Sequence, residues 1–367
     1  MIERGRIVTL ASRDKSAAGV LVTLVRAEGS SYRKPGARLL VVDGEYAGTI
    51  SGGCLETEVV KKAAWAVRSG AIVERYSTTF DDTSDIPYGL GCGGTVDLLL
   101  EPSGTPEFAA LLKALEGSLR GERAVVITFL PNENSSMLRA VLSAGEVVFR
   151  SDGLAASMID AALAGEIENA FVERLAAPQR LIVLGAGDDV RPLVRMASLL
   201  GWSVTVVDGR KQLALGERFP EAQRVLAVQA GLIAEIGINA NDAVVLMTHS
   251  YEQDREWLAA VLPIAPRYLG VLGARHRSSL LVSEASAMTG LSIAVCCARI
   301  FAPVGLDLGG DGPEAIALAV LAEAQACCMG KIASSRRLSS ADVLMQISRG
   351  NASRYTQAQC ALESGVD

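Results

Sequence analysis

Histidine is nearly absent: the chain has two, His249 and His276, among 367 residues. None of its seven cysteines falls in a Cys-x-x-Cys pair. Both shortages argue against a zinc site, which draws on closely spaced thiolates and imidazoles. Seven cysteines in a chain of this length do not make a disulfide scaffold either. No run of about 18 uncharged apolar residues occurs, the length a helix needs to cross a bilayer. The opening Met1-Ile-Glu-Arg-Gly-Arg6 leads into no signal-type apolar core. Positive charge is not in excess: 35 Lys+Arg against 41 Asp+Glu leave a net charge of −6, which argues against nucleic acid as the main partner. The expectation is a soluble cytoplasmic protein with reduced thiols, built of two or three domains.

What is present centres on Thr49-Ile-Ser-Gly-Gly-Cys-Leu-Glu56. A β-branched run ends there, and a helical pattern runs from Leu55 to Arg68. Strand, glycines and helix in that order aim backbone N–H groups at one point, where an anion can sit. Cys54 lies in the same field, which lowers a thiol pKa and exposes a metal-binding sulfur; a tight turn holding a buried cysteine is the alternative. Asp43-Gly44, between Leu39–Val42 and Glu45–Ile50, is a hairpin signal. A second cysteine on bare backbone, Cys92, stands among Gly89, Gly91, Gly93 and Gly94, so the two turns point to a shared pocket. Soft thiolates suit a thiophilic metal centre. In the loop Glu28–Arg38, the cations Arg33, Lys34 and Arg38 could hold phosphate.

Residues 103–178 read as a helix, three strands and a glycine-led helix. They echo the first segment, with Ser151-Asp-Gly153 where Ser51-Gly-Gly53 stood. After the linker Ala177-Pro178 comes a buried-strand run, Arg180–Leu184, then Gly185-Ala-Gly187 and a helix from about Asp189 to Leu200. A second strand ends at Asp208. This is the βαβ unit of a dinucleotide-binding fold: glycines for the tight turn, an acid for a ribose hydroxyl. The third glycine is replaced by Val190, and Asp188 and Asp189 place negative charge where a pyrophosphate would dock. An α/β rhythm continues, with His249 and Asp254 at strand ends, a strand at Ile293–Cys297 and a helix at Glu314–Cys328. Cys296-Cys297 and Cys327-Cys328 read as core. The residues after about 334 are polar and read as a partly disordered tail with a short helix near Ala341–Ile347. The fold class is therefore α/β: an N-terminal α+β domain (1–102), a small middle segment (103–178) and a C-terminal Rossmann-like doubly wound parallel sheet (179–333).

The combination of Gly29-Ser-Ser-Tyr-Arg-Lys-Pro-Gly-Ala-Arg38, Ser51-Gly-Gly-Cys-Leu-Glu56 and Gly89-Leu-Gly-Cys-Gly-Gly94 resembles the N-terminal signature of the XdhC/CoxI family, the xanthine dehydrogenase accessory proteins. Leu184-Gly-Ala-Gly187, Val207-Asp208, Met247-Thr-His249, Gly270-Val-Leu-Gly-Ala274 and Pro303-Val-Gly-Leu-Asp307 resemble that family's Rossmann-type domain. The loop Gly309–Pro313 is richer in glycine than the family's. The resemblance implies a homodimeric molybdenum-cofactor chaperone, an accessory factor rather than an enzyme. It would bind and shield molybdopterin, support its sulfuration with a cysteine desulfurase, and insert it into a molybdenum hydroxylase of the xanthine or carbon monoxide dehydrogenase type, with no nucleic acid and no membrane involved. The site it implies comprises Cys54 and Cys92 (possible molybdenum or sulfur contacts) with Ser51, Gly52, Gly53, Gly91 and Gly93. Arg33, Lys34 and Arg38 join it by charge; Gly185, Gly187, Asp208 and His249 form the Rossmann crevice. Two other readings stay open: an NAD(P)-dependent oxidoreductase using that crevice, and a non-catalytic scaffold joining desulfurase to target.

Overall fold

The computed structural model describes residues 1–13, 18–29, 31–53, 55–77, 94–334, 339–341 and 344–345. The first unit runs α1 (Ile2–Arg13), β1 (Gly19–Glu28), β2 (Arg38–Val42), β3 (Glu45–Gly48), α2 (Glu56–Ala66), β4 (Ile72–Ser77) and β5 (Thr95–Pro102). Its strands form an antiparallel sheet in the order β3-β2-β1-β5-β4. The β-branched and leucine-rich β1 is central and buried over its first seven residues. Asp43 and Gly44 both have positive φ, 48° and 83°, the geometry whose twist matches a two-residue hairpin. Helix α1 is absent from the sequence reading; it is tethered by Ile7 and Leu10, its two buried residues.

The second unit repeats the first. It runs α3 (Pro106–Leu119), β6 (Ala124–Phe129), β7 (Leu138–Ser143), β8 (Glu146–Arg150), α4 (Ala156–Ala164) and β9 (Ala170–Leu175), with strand order β8-β7-β6-β9. That is the order β3-β2-β1-β5 again, so the echo heard in sequence is a shared topology. The helices α1 and α3 contribute Ile7, Leu10, Phe108, Leu111 and Leu115 to a core that also takes Leu21 and Leu40 from one sheet and Val126, Val141 and Leu175 from the other. The two units thus share one hydrophobic core.

The repeat extends to single residues. Thr23 pairs with Arg38 across β1 and β2, as Thr128 pairs with Arg139 across β6 and β7. Two residues before each threonine, Leu21 pairs with Glu101 on β5, and Val126 with Glu173 on β9. The ion pairs then cross: Arg38 binds Glu173, and Arg139 binds Glu101 at 2.8 Å. Each unit supplies its arginine to the other's glutamate, as equivalent residues do across a two-fold interface.

The third unit is a doubly wound parallel sheet, as expected. Its elements are β10 (Arg180–Leu184), α5 (Val190–Leu199), β11 (Ser203–Val207), β12 (Arg224–Leu226), β13 (Ala243–Leu246), α6 (Tyr251–Val261), β14 (Tyr268–Val271), α7 (Arg275–Thr289), α8 (Ile293–Arg299) and α9 (Pro313–Cys328). The order β12-β11-β10-β13-β14 puts the topological switch between β10 and β13. Helices α5 and α9 cover one face and α6 and α7 the other, each over its own apolar cluster. Among the described residues no single helix is long and apolar enough to cross a membrane.

Two expectations fail here. Ile293–Cys297 is helical, not a strand: the Ser292 side chain accepts from the Val295 N–H and caps α8. Only Cys296 of that helix is buried. The place beside β14 that a further strand would take holds a single bridge, Gly270 to Phe301. The cysteine pairs split as well. Cys296 and Cys328 are buried, whereas Cys297 is exposed and Cys327 half-buried, because adjacent residues on a helix point about 100° apart. The expected helix at Ala341–Ile347 and the tail beyond it lie mostly outside the described residues.

Candidate functional sites

Between β3 and α2 the chain makes the turn 49–55, and its organising group is Glu56. The carboxylate accepts from the Ile50 N–H at 3.0 Å, the Ser51 N–H at 2.8 Å and the Gly53 N–H at 3.1 Å. It also accepts from the hydroxyls of Thr49 and Ser51. Ser51 Oγ in turn accepts from the Leu55 N–H at 3.1 Å. Burial would raise the Glu56 pKa, but the Ser51 and Thr49 hydroxyls and the Ser51 amide outweigh it and hold it at about 2. The anion that these N–H groups converge on is therefore the protein's own carboxylate. The turn is built without an external phosphate, and a negative charge sits at the start of α2, opposing the field expected to acidify Cys54. An acid three residues after Gly53, at a helix start, is the sequence signal for this clasp.

The glycines keep the turn's surface open. Gly53 has φ +107°, which favours glycine, and a methyl group there would meet nothing within 4 Å. A methyl group on Gly52 would touch the Tyr32 ring at 3.7 Å. Tyr32 thus brings the Glu28–Arg38 loop against the turn. The loop's three cations have different fates. Arg38 is buried and bound to Glu173, Arg33 is bound to Glu3, and Lys34 is exposed. Cys54, Gly91, Cys92 and Gly93 lie outside the described residues.

The second site is the crevice at the switch point. The Gly185 N–H bonds the Val207 carbonyl at 2.7 Å, and a Cβ on Gly185 would overlap the Met247 carbonyl. Gly187 makes room for the side chain of Asp189. Gly185 is thus required by packing, whereas a Cβ on Gly187 would displace only the carboxylate of Asp189. Asp208, 1% exposed, accepts from the Ala186 N–H at 2.9 Å. It also takes the amide, Nε and Nη2 of Arg210 at 2.9, 2.9 and 2.7 Å. Burial would raise its pKa; the Arg210 side chain and amide hold it below the usual value. Arg218 binds the Ala186 carbonyl at 2.7 Å and Asp188 at 2.9 Å. Val190, at the third glycine's position, is fully buried.

The donor set departs from that of a dinucleotide site. The carboxylate that would take a ribose hydroxyl is spent on Arg210, and it already holds the Ala186 amide of the phosphate-binding turn. Asp188 and Asp189 place carboxylates where a pyrophosphate would dock, one beside Arg218 and the other beside His249. Millimolar NAD+ or NADP+ should leave the melting temperature of the protein unchanged; a rise of several degrees, the sign of tight binding, would contradict this reading of the crevice.

His249 remains. It follows β13 in a left-handed conformation, φ +59°, and its Nε2 lies 2.8 Å from Asp189 Oδ2. Asp254, expected at a strand end, lies in the first turn of α6 and is buried. It accepts from the Thr248 hydroxyl at 2.7 Å and pairs with Arg277 at 2.8 Å, so it anchors the loop that presents His249. Arg210, Arg218 and Glu56 are the residues that sequence reasoning passed over; only Glu56 carried a local signal. Among the described residues no group of three or more His, Cys, Asp or Glu is placed to hold a metal ion.

Comparison with known proteins adds the following. Residues 12–77 match the family model described as the XdhC and CoxI family, and residues 181–324 match that of the XdhC Rossmann domain. A probable xanthine dehydrogenase subunit of Bacillus subtilis (strain 168) is 29% identical over 312 residues, 83% of this chain and 91% of that protein. The molybdenum cofactor insertion chaperone PaoD of Escherichia coli (strain K12) is 26% identical over 309 residues, 83% of this chain and 81% of that one. A crystal structure of a xanthine dehydrogenase from Bacillus halodurans superimposes with a TM-score of 0.77 at 27% identity, over 93% of this chain and 99% of that chain.

Proposed function

The chain belongs to the XdhC and CoxI family, and from that premise we propose that it is a molybdenum-cofactor chaperone serving a xanthine dehydrogenase-type molybdenum hydroxylase. The cofactor is cargo, taken up and handed on. The likeness to PaoD, which spans both the glycine-turn unit and the Rossmann unit, supports this. The observation that carries it is the turn clasped by Glu56. The amides of Ile50, Ser51, Gly53 and Leu55 are satisfied from within, so the backbone around Gly53 is fixed before any ligand arrives, and the next residue in sequence is Cys54.

In this proposal Cys54, with Cys92 from the second glycine run, offers thiolate to molybdenum or to the sulfur delivered to it. Ser51, Gly52, Gly53, Gly91 and Gly93 leave the backbone bare so that a flat pterin can approach. Lys34, exposed in the loop that Tyr32 ties to the turn, meets the pterin's anionic end. Sulfuration with a cysteine desulfurase, a homodimeric state and a cytoplasmic setting belong to the same proposal. The oxidoreductase reading is disfavoured because the crevice's acid and its turn amide are spent inside the protein. In the scaffold reading the chain would join desulfurase to hydroxylase without holding pterin. Loading the purified protein with molybdenum cofactor under anaerobic conditions separates the two. The proposal expects pterin and molybdenum to stay with the wild type and to fall about 10- to 100-fold in Cys54→Ala, the usual cost of disturbing a metal's immediate surroundings. Equal retention by both would remove the thiolate from the mechanism.

A further inference from the structure

The crossed ion pairs hide an asymmetry. In the second unit Arg139 is fully satisfied: its Nε donates to Thr128 Oγ1 at 3.1 Å while its two other nitrogens hold Glu101. In the first unit the equivalent atoms are Arg38 Nε and Thr23 Oγ1. Both are buried and neither has a partner, although Thr23 and Arg38 stand cross-strand as Thr128 and Arg139 do. The Arg38 side chain is 6% exposed. An unmet guanidinium N–H at that depth costs stability unless something accepts from it.

Arg38 lines a cavity of about 100 Å³ between α1, α3 and the Glu28–Arg38 loop, walled also by Arg4, Arg33, Glu3, Ile7 and Leu115. Its charges do not balance. Arg33 is paired with Glu3 and Arg38 with Glu173. Arg4 donates to Ser118 Oγ at 2.7 Å and to the Ala176 carbonyl at 3.2 Å, and among the described residues no carboxylate lies within ion-pair distance of it. Burial holds the Arg4 pKa below its usual value, with Glu173 opposing and Arg38 reinforcing that effect. Three guanidinium groups against two carboxylates leave one positive charge uncompensated in a half-buried space. The volume suits a tetrahedral oxyanion, or about three waters.

We infer that this cavity is a binding site for a small tetrahedral oxyanion, phosphate or a phosphate monoester. It would be held by Arg4, with Arg33 and the Arg38 side chain on its wall. The inference stands apart from the cysteine turn, and it shares with the chaperone reading only the possibility that the monoester is the terminal phosphate of the cargo.

The test is a calorimetric titration of the intact protein with inorganic phosphate, and separately with methyl phosphate, at matched ionic strength against chloride. Wild type should bind at one site, and Arg4→Met should bind about tenfold more weakly or worse, the scale of losing one charge-assisted hydrogen bond. Arg33→Met, on the cavity wall and paired there with the part-exposed Glu3, serves as a second variant should Arg4→Met fail to fold; it should weaken binding by a smaller factor. Binding of both ligands fits a site for a carried phosphate group, and binding of inorganic phosphate alone fits a site for the free ion. Absence of binding to folded wild type, or equal binding by wild type and the folded variants, overturns the inference. Cofactor loading is read separately, so an intact loading signal without phosphate binding would sink this inference and leave the chaperone reading standing.

Discussion

Replacing Glu101 by alanine should destabilise the protein by about 3–5 kcal/mol, a fall in melting temperature on the order of 10 °C. Glu101 is 0% exposed and its partner Arg139 is 1% exposed. Without the carboxylate, the guanidinium stays buried with only Thr128 Oγ1, the Glu107 carbonyl and the Met137 sulfur as neutral partners. A charge so placed is expensive, because removal of one partner leaves the other's desolvation uncompensated. The paired replacement Glu101→Leu with Arg139→Met should recover most of the loss, since it removes both charges together. The mirror-image change, Glu173→Ala, should cost less: the Glu173 side chain is 15% exposed, so water can reach the group left behind. Denaturant melts of the single and double variants measure all of this. A loss under about 1 kcal/mol for Glu101→Ala would mean that the crossed pairs do not hold the two units together.

Replacing Glu56 by alanine should release the turn. Five donors converge on its carboxylate, three of them backbone amides. Hydrogen bonds to a charged acceptor contribute about 1.5–3 kcal/mol each when measured singly, and those sharing one acceptor do not add. A loss of about 2–4 kcal/mol is expected, with the amides of Ile50, Ser51 and Gly53 losing their protection from hydrogen exchange. The pH dependence follows from the sign of the shift. The folded pKa lies near 2, below the ordinary 4.5. The contribution of Glu56 is therefore complete above about pH 4.5 and is lost as pH falls toward 2, and in Glu56→Ala that part of the stability profile should flatten. The negative charge two residues from Cys54 should also oppose its thiolate. Glu56→Gln should then shift the alkylation of Cys54 to lower pH. Unchanged amide protection in Glu56→Ala would rule out the clasp.

The parallel sheet was legible because its signal is local: Arg180–Leu184 and Ala243–Leu246 are apolar runs buried on both faces, each ending at a glycine or at the loop to His249. The hairpin at Asp43-Gly44 was legible for the same reason. The run at Ile293–Cys297 misled because a short apolar stretch carries no period of its own, and the Ser292 cap decided for helix. The glycines at 185 and 187 pointed to the right turn but not to its use. What occupies that turn, Asp208 with Arg210, depends on contacts 22 residues apart in sequence. The anion at the Thr49–Glu56 turn was foreseen as a ligand and is a side chain, since sequence shows converging amides without showing which acceptor reaches them first. The crossed ion pairs, between residues 38 and 135 positions apart, leave no local trace at all.

We propose that this chain carries the molybdenum cofactor at the turn that Glu56 holds, with Cys54, the residue after Gly53 in sequence, as its thiolate. The most direct measurement is the molybdenum and pterin content of the wild-type protein and of Cys54→Ala after anaerobic incubation with the cofactor and removal of the excess. The account predicts near-stoichiometric molybdenum and pterin on the wild type and a fall of about 10- to 100-fold in the variant. Wild-type protein that emerges with neither molybdenum nor pterin would contradict it.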